Sequence, residues 1–242
     1  MIKFQNISKY YGKTAVLHDI TFCVNQGEFF VIVGLSGSGK TTLLKMINNL
    51  VSADSGKITI NSKDINEWDL RDLRLETGYV LQQDALFPNL SIYENIALIP
   101  KMKKWDQEKI RGEIHRLMPI VGLDPNLHLN KYPEQLSGGE RQRVGILRAI
   151  ITKPKVLLMD EPFSALDPLI KRDLQILIKK LHTNLGITIF FVTHDMRESV
   201  LLADRIVVLQ SGKLLQVDTP KNIISHPKDN FVKKLFESAD LI

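Results

Sequence analysis

The chain carries one cysteine, Cys23, among 242 residues, which excludes an internal disulfide framework. Its neighbours Phe22 and Val24 are apolar, so an ordinary buried thiol is expected. No run reaches the roughly eighteen consecutive apolar residues that a membrane-spanning helix needs. The longest runs, Phe29 to Val33 and Ile187 to Val192, have the length of buried strands. The opening Met1-Ile2-Lys3-Phe4-Gln5-Asn6 lacks a secretory apolar region, and the expected location is the cytoplasm unless a partner holds the chain at a membrane. Low-complexity tracts and short repeats are also missing, and Gly and Pro punctuate ordinary turns.

With 44% apolar residues over this length, the chain is globular and fits one or two compact domains. Its net charge of +5 permits attraction to nucleic acid or to an anionic lipid surface. Basic and acidic residues are interspersed, however, as in Lys101-Met102-Lys103-Lys104-Trp105-Asp106, which reads as a solvated face. Charge does not decide the partner.

Three apolar runs organise the chain. Phe29 to Val33 leads into Gly34-Leu-Ser-Gly-Ser-Gly-Lys-Thr-Thr42, Val156 to Met159 into Asp160-Glu161, and Ile187 to Val192 into Thr193-His194. Each has the character of a parallel strand buried on both faces, and each ends in polar residues where open α/β sheets bind ligands. Helical patterns follow over 41–50 and 168–182, and the clearest helices between 84 and 153 are expected at 106–121 and 139–152. Shorter strands over 2–28 and 56–60 suggest an antiparallel β subdomain. The expectation is an α/β core with a helical insertion.

The first of these polar segments matches Gly-x-x-x-x-Gly-Lys-Ser/Thr. In such a loop glycines let backbone N–H groups turn around phosphates, while Lys40 and Thr41 reach phosphate oxygens and Mg²⁺. A following helix adds partial positive charge at its N-terminus. The pattern implies a nucleotide site. Asp160 stands where a magnesium-associated carboxylate is expected, and Glu161, on the alternate face, is placed to act as general base toward water. Leu136-Ser-Gly-Gly-Glu140 opens another helix. Ser137 and Glu140 have capping-box spacing, which by itself means only a well-capped helix. Gly138 and Gly139 go further, leaving first-turn N–H groups open to an anion, most simply the ATP of another chain.

Gly34 to Thr42, Gln82, Leu136 to Val144, Val156 to Asp167 and His194 stand in the order found in the ATPase subunits of ABC transporters, which the chain resembles over essentially its whole length. The resemblance implies an α/β P-loop NTPase fold. A RecA-like core with an antiparallel β subdomain would occupy 1–83 and 154–242, and a helical subdomain carrying the signature would occupy 84–153. It also implies two subunits sandwiching two ATP molecules head to tail. Gly34, Ser36, Gly37, Ser38, Gly39, Lys40, Thr41 and Thr42 then hold the phosphates of one ATP, and Ser137, Gly138 and Gly139 cap the γ-phosphate bound by the partner. In that register Tyr11, rather than the adjacent Tyr10, stacks on adenine. Thr41, Gln82 and Asp160 serve Mg²⁺, with Gln82 linking metal and nucleophilic water to a membrane partner. His194, which alone would read as the cap of a helix near Asp195, contacts the γ-phosphate, and Asp167 lies at the dimer seam. Two positions depart from the family pattern: Glu140 replaces the commoner Gln, and Leu147 a small residue. The Glu140 carboxylate still closes a capping box but brings negative charge toward a triphosphate, which Arg141 and Arg143 are placed to offset.

The segment from Gln83 to Ile96 resembles the region that receives coupling helices from permease subunits, and about half of Leu86, Phe87 and Leu90 are expected in the core. DNA-repair and chromosome-maintenance ATPases share these motifs but usually insert a long coiled coil, whereas roughly fifty residues without sustained heptads separate Gln82 from the signature here. Transport is therefore the reading, with no direct nucleic-acid contact and a peripheral place on the cytoplasmic face of the membrane. The stretches 79–83, 95–105 and 132–139 look most like uptake systems for glycine betaine, carnitine and choline. The resemblance implies a homodimer, transmembrane permease subunits and, indirectly, a substrate-binding protein or domain. An end at Ile242 is read as leaving no C-terminal sensor pair and as disfavouring sugar and polyamine importers. Removing a general base costs about 10²–10⁴ in rate, so Glu161→Gln is expected to bind ATP yet barely hydrolyse it. Steady-state phosphate release checks this, and normal turnover would remove Glu161 from the role.

Overall fold

A computed structural model of the chain describes residues 1–82 and 85–241. Gln83 and Asp84, which begin the segment expected to meet a permease, lie outside the described residues, as does Ile242. In chain order the elements are β1 (Ile2–Tyr11), β2 (Thr14–Val24), β3 (Phe29–Gly34), α1 (Lys40–Ile47), β4 (Ser55–Ile60), β5 (Lys63–Asp64), α2 (Leu70–Leu75), β6 (Thr77–Val80), α3 (Ile92–Met102), α4 (Gln107–Leu117), α5 (Pro125–His128), α6 (Gly138–Ile150), β7 (Val156–Asp160), α7 (Pro168–Leu185), β8 (Thr188–Val192), α8 (Met196–Leu202), β9 (Arg205–Gln210), β10 (Lys213–Asp218), α9 (Pro220–Ser225) and α10 (Asn230–Glu237). They form two compact units, Met1–Arg74 with Gly186–Ile242, and Leu75–Leu185.

The first unit contains an antiparallel sheet in the order β2-β1-β4-β5. Ile2 pairs with Val24 on one side and Ile60 on the other. In the same unit β3 lies parallel to both β8 and β9, and β10 closes antiparallel on β9. Every residue of β3 and β8 is buried, which explains their unbroken apolar sequence. Phe22 stacks on Phe4 and Phe30 at ring-centroid distances of 4.5 and 5.3 Å, and Phe190 lies 6.1, 6.3 and 5.8 Å from Phe4, Phe22 and Phe30. This aromatic cluster joins the two sheets. Such pairs add about 0.5–1.5 kcal/mol beyond the area they bury.

Cys23 corrects the sequence expectation, because its thiol is exposed. The reason is the strand period of two. Phe22 and Val24 point into the core, so the residue between them must face outward. Apolar neighbours argue for burial in a helix but against it in a strand with one wet face.

In the second unit β6 runs parallel to β7, with Thr77 paired to Val156 and Val80 to Met159. Helix α6 packs against α3 and β6. Asp106 caps α4 through the Lys109 N–H, and the helical pattern over 106–121 divides at Pro119, which starts a 3₁₀ turn ending at Gly122. The buried side chain of Asn95 accepts a hydrogen bond from Phe87 N (2.8 Å) and donates to the carbonyls of Phe87 and Leu90 (3.1 and 3.0 Å). The loop before α3 is thus wrapped around one amide. Phe87 stays exposed, while Leu86 and Leu90 are half-buried. Among the described residues no helix is long and apolar enough to cross a membrane. Truncating a fully buried Phe costs about 3–5 kcal/mol, so Phe190→Ala should lower the urea midpoint by a corresponding amount. A loss below about 1 kcal/mol would show that the aromatic cluster does not organise this unit.

Candidate nucleotide site

In the first unit the loop after β3 is tightly wound. Gly34, Gly37 and Gly39 have φ of 155°, 76° and 97°. A Cβ at Gly34 would lie 2.3 Å from the Leu209 carbonyl oxygen and 2.7 Å from Ser38 Oγ, and one at Gly39 would lie 2.6 Å from a Leu17 methyl. Glycine is therefore required at both positions. Gly39 is also the N-cap of α1, whose first turn aims its N–H groups back at the loop. Lys40 is buried, and its Nζ donates to the carbonyls of Gly34 (2.9 Å) and Leu35 (3.0 Å). Ser38 Oγ is buried with no hydrogen-bond partner among the described residues. An orphan hydroxyl beside helix N–H groups and an ammonium suits an anion with several oxygens, as a polyphosphate has.

His194 follows the neighbouring strand β8. The Thr193 N–H donates to Ile32 O (3.2 Å), so this strand end and that of β3 share one edge. His194 is exposed. The cap of α8 is Asp195, whose carboxylate accepts from Arg197 N and Glu198 N, so the helix-cap alternative for His194 does not apply. Tyr10 and Tyr11 are both about half exposed at the end of β1. Lys9 Nζ stands 5.5 Å from the centre of the Tyr11 ring and pairs with Asp54 at 2.9 Å, while Tyr10 N donates to Asp54 at 2.6 Å. The Tyr10 N–H and the Lys9 ammonium together hold the Asp54 carboxyl below its ordinary range.

In the second unit the parallel pair β6–β7 places Gln82, just past β6, and Asp160–Glu161, at the end of β7, on one edge. Glu161 adopts φ of 44°, a left-handed backbone that costs a non-glycine residue on the order of 1 kcal/mol and is concentrated at working sites. The turn behind it is fixed. Ser164 Oγ donates to Glu161 O (3.0 Å), Gln82 Nε2 reaches Ser164 Oγ at 3.4 Å, and the buried amide of Gln142, on α6, donates to Pro162 O (2.9 Å). Gln82, Gly138, Arg141, Gln142, Pro162, Ala165 and Leu166 line a small cavity beside this turn. Sequence reasoning missed Gln142, and Tyr79 with it. The Tyr79 hydroxyl is buried without a partner among the described residues, and burial, aided by the Asp160 charge, pushes its pKa well up.

The signature opens α6 with a complete capping box. Ser137 N and Oγ both donate to Glu140 Oε2 at 2.8 Å, and Glu140 N donates back to Ser137 Oγ at 3.3 Å. These bonds hold the Glu140 carboxyl below its ordinary range, with His128 reinforcing them. Arg141 and Arg143 donate to the carbonyls of Leu136 and Val121, and the side chain that meets the second oxygen of Glu140 is His128, whose Nε2 lies 3.1 Å from Oε1. Leu147 is buried in the core. Asp167 is exposed just before α7.

The two signature glycines differ. A Cβ at Gly139 would lie 2.7 Å from Ile170 Cγ2, while one at Gly138 would meet nothing closer than an Arg141 nitrogen at 3.9 Å. Among the described residues packing crowds Gly139 and leaves Gly138 open. Gly139→Ala is expected to cost about 1–3 kcal/mol through overpacking, whereas Gly138→Ala should stay within about 0.5 kcal/mol of the parent. Urea unfolding separates the two, and equal losses would contradict the distinction.

The geometry agrees with what comparison finds. Residues 17–164 match the family described as ABC transporter. Over 244 aligned residues and the whole of this chain, it is 46% identical to the glycine betaine/carnitine/choline transport ATP-binding protein OpuCA of Bacillus subtilis, of whose length it spans 64%. It is 42% identical over its whole length to the glycine betaine uptake system ATP-binding protein YehX of Escherichia coli, spanning 78% of that protein. Among solved structures it superposes with a TM-score of 0.80 and 32% identity on the ATP-binding cassette MJ0796 in a dimeric, post-hydrolysis state bound to ADP and Pi, covering 91% of this chain and 99% of that one. A P-loop NTPase fold, a phosphate loop closed on a buried lysine and a capped signature helix, in a chain this similar to ABC cassettes, place the protein in the ABC transporter family as an ATP-binding domain.

Proposed function

We propose that the chain hydrolyses ATP in order to energise a membrane importer for glycine betaine, carnitine, choline or a related quaternary-ammonium betaine. The observation that carries the reading is full-length identity of 46% to a betaine/carnitine/choline ATP-binding protein, together with a loop whose orphan Ser38 hydroxyl and buried Lys40 suit a polyphosphate.

In this reading the amides of 34–42 and the side chains of Ser36, Ser38, Lys40 and Thr42 hold the phosphates, and the aromatic face of Tyr11 receives adenine. Mg²⁺ takes one or two protein oxygens and completes its shell with phosphate and water. Thr41, Gln82 and Asp160 would provide those contacts, and the metal would neutralise phosphate charge. Glu161 accepts the proton of the attacking water. His194 donates to the γ-phosphate. Ser137, Gly138 and Gly139 serve the ATP of a second copy. Gly138 supports this, because among the described residues a Cβ there would meet nothing closer than an Arg141 nitrogen at 3.9 Å. Asp167 lies at the seam. The sandwich closes on ATP and opens after hydrolysis, and permease subunits at the cytoplasmic face of the membrane convert that motion into transport. The loop wrapped on Asn95, with Phe87 exposed, is their proposed seat, and a substrate-binding protein or domain would act through them.

Glu161→Gln protein isolated with ATP from gently solubilised membranes should run as a dimer on sizing and bring a multi-spanning permease with it, identified by mass spectrometry. Recovery of nucleic acid or repair factors instead would overturn the transport reading and leave the ATP site standing.

A further inference from the structure

Glutamate at the fourth signature position places a negative charge where, on the reading above, a triphosphate arrives, and this inference rests on that reading. One oxygen of Glu140 is occupied, since Oε2 accepts both Ser137 donors. The other, Oε1, faces the ring of His128. On the far side of that ring Nδ1 lies 2.8 Å from Asp124 O. A backbone carbonyl only accepts, so Nδ1 carries a proton. With the proton there, a neutral ring would turn the Nε2 lone pair onto a carboxylate oxygen. Both contacts are favourable only when both ring nitrogens are protonated. The ring is nearly buried, with side-chain exposure of 11% against 35% for Glu140, so the pair is less screened than an open surface pair.

The ring is also held from behind. Asp124 caps the short helix that ends in His128. The next residues offer the carbonyls of Leu129 and Lys131 to Tyr93 N (3.0 Å) and Ile92 N (2.9 Å), the open donors at the start of α3. A flexible lysine at 128 would bring the same charge without this anchoring.

We propose that His128, as an imidazolium fixed between Asp124 O and Glu140 Oε1, is the positioning residue that neutralises the signature carboxylate and keeps Ser137 and Gly138 usable by an incoming phosphate. Its role is electrostatic and orienting, and it touches no reacting atom. A charge-assisted hydrogen bond of this kind, discounted for partial exposure, corresponds to roughly a three- to tenfold effect. The intact chain should therefore show a KM for ATP raised by about that factor in His128→Gln, with kcat changed less. In a Glu140→Gln background the same His128→Gln change should cost less than about twofold, because no charge is left to neutralise. Nitrogen NMR of the nucleotide-free protein near neutral pH should show both His128 ring nitrogens protonated, and a neutral ring once Glu140 is Gln. Equal losses in the two backgrounds would reduce His128 to a support for α5 and overturn the proposal. So would a neutral ring in the parent protein with intact ATP turnover. A parent that shows no response to ATP would overturn the nucleotide reading itself and this role with it.

Discussion

A buried ammonium sets the terms for the phosphate loop. Removing a charge from water costs several kcal/mol unless polar groups replace the solvent, and at Lys40 the carbonyls of Gly34 and Leu35 do so. To present them the chain must curl so tightly that a side chain at Gly34 would strike Leu209 O and one at Gly39 would strike Leu17. The loop is thus shaped by β9 and β2 as much as by its own sequence. Those strands are held in turn by the pairing of β3 with β9, where Gly34 stands opposite Leu209, and by the hydrogen bond from His18 N to Gly212 O at 2.8 Å. The Phe4–Phe22–Phe30–Phe190 cluster fixes the spacing between the sheets that carry them.

What the sequence revealed, and what it concealed, follows from the range of the forces involved. Strands β3, β7 and β8 were legible because burial on both faces demands long apolar runs, and the loop because its glycines answer a local backbone need. The Ser137–Glu140 box was legible for the same reason, being closed within one turn. Cys23 was misjudged because neighbouring residues of a strand face opposite ways. The partner of Glu140 Oε1 was not legible either. Arg141 and Arg143 are near in sequence, and they donate to Leu136 O and Val121 O. His128 lies twelve positions away on a helix of four residues, too short for any periodicity to announce it. Gln142 carried no local signal either, since its partner, Pro162 O, is twenty positions away. Gly139 looked like its neighbour and proved different, because only the fold brings Ile170 against it.

Within the second unit these distant bonds form a continuous series. The carbonyls of Leu129 and Lys131 meet the start of α3, His128 meets Glu140 at the start of α6, Gln142 of the same helix meets Pro162 O, and Ser164 meets Glu161 O. The loop that exposes Phe87 is therefore joined to the backbone of the residue expected to activate water through helices, backbone carbonyls and the His128–Glu140 side-chain pair. Continuity of this kind transmits a displacement but does not create one, because coupling needs an element with two arrangements. Most joints in the series end on a carbonyl in a packed turn and have one good geometry. Gln82 differs, since its amide reaches an exposed serine hydroxyl at 3.4 Å, a long bond by hydrogen-bond standards. It is the longest bond of the series, and it belongs to the residue read as the link between metal, water and membrane partner.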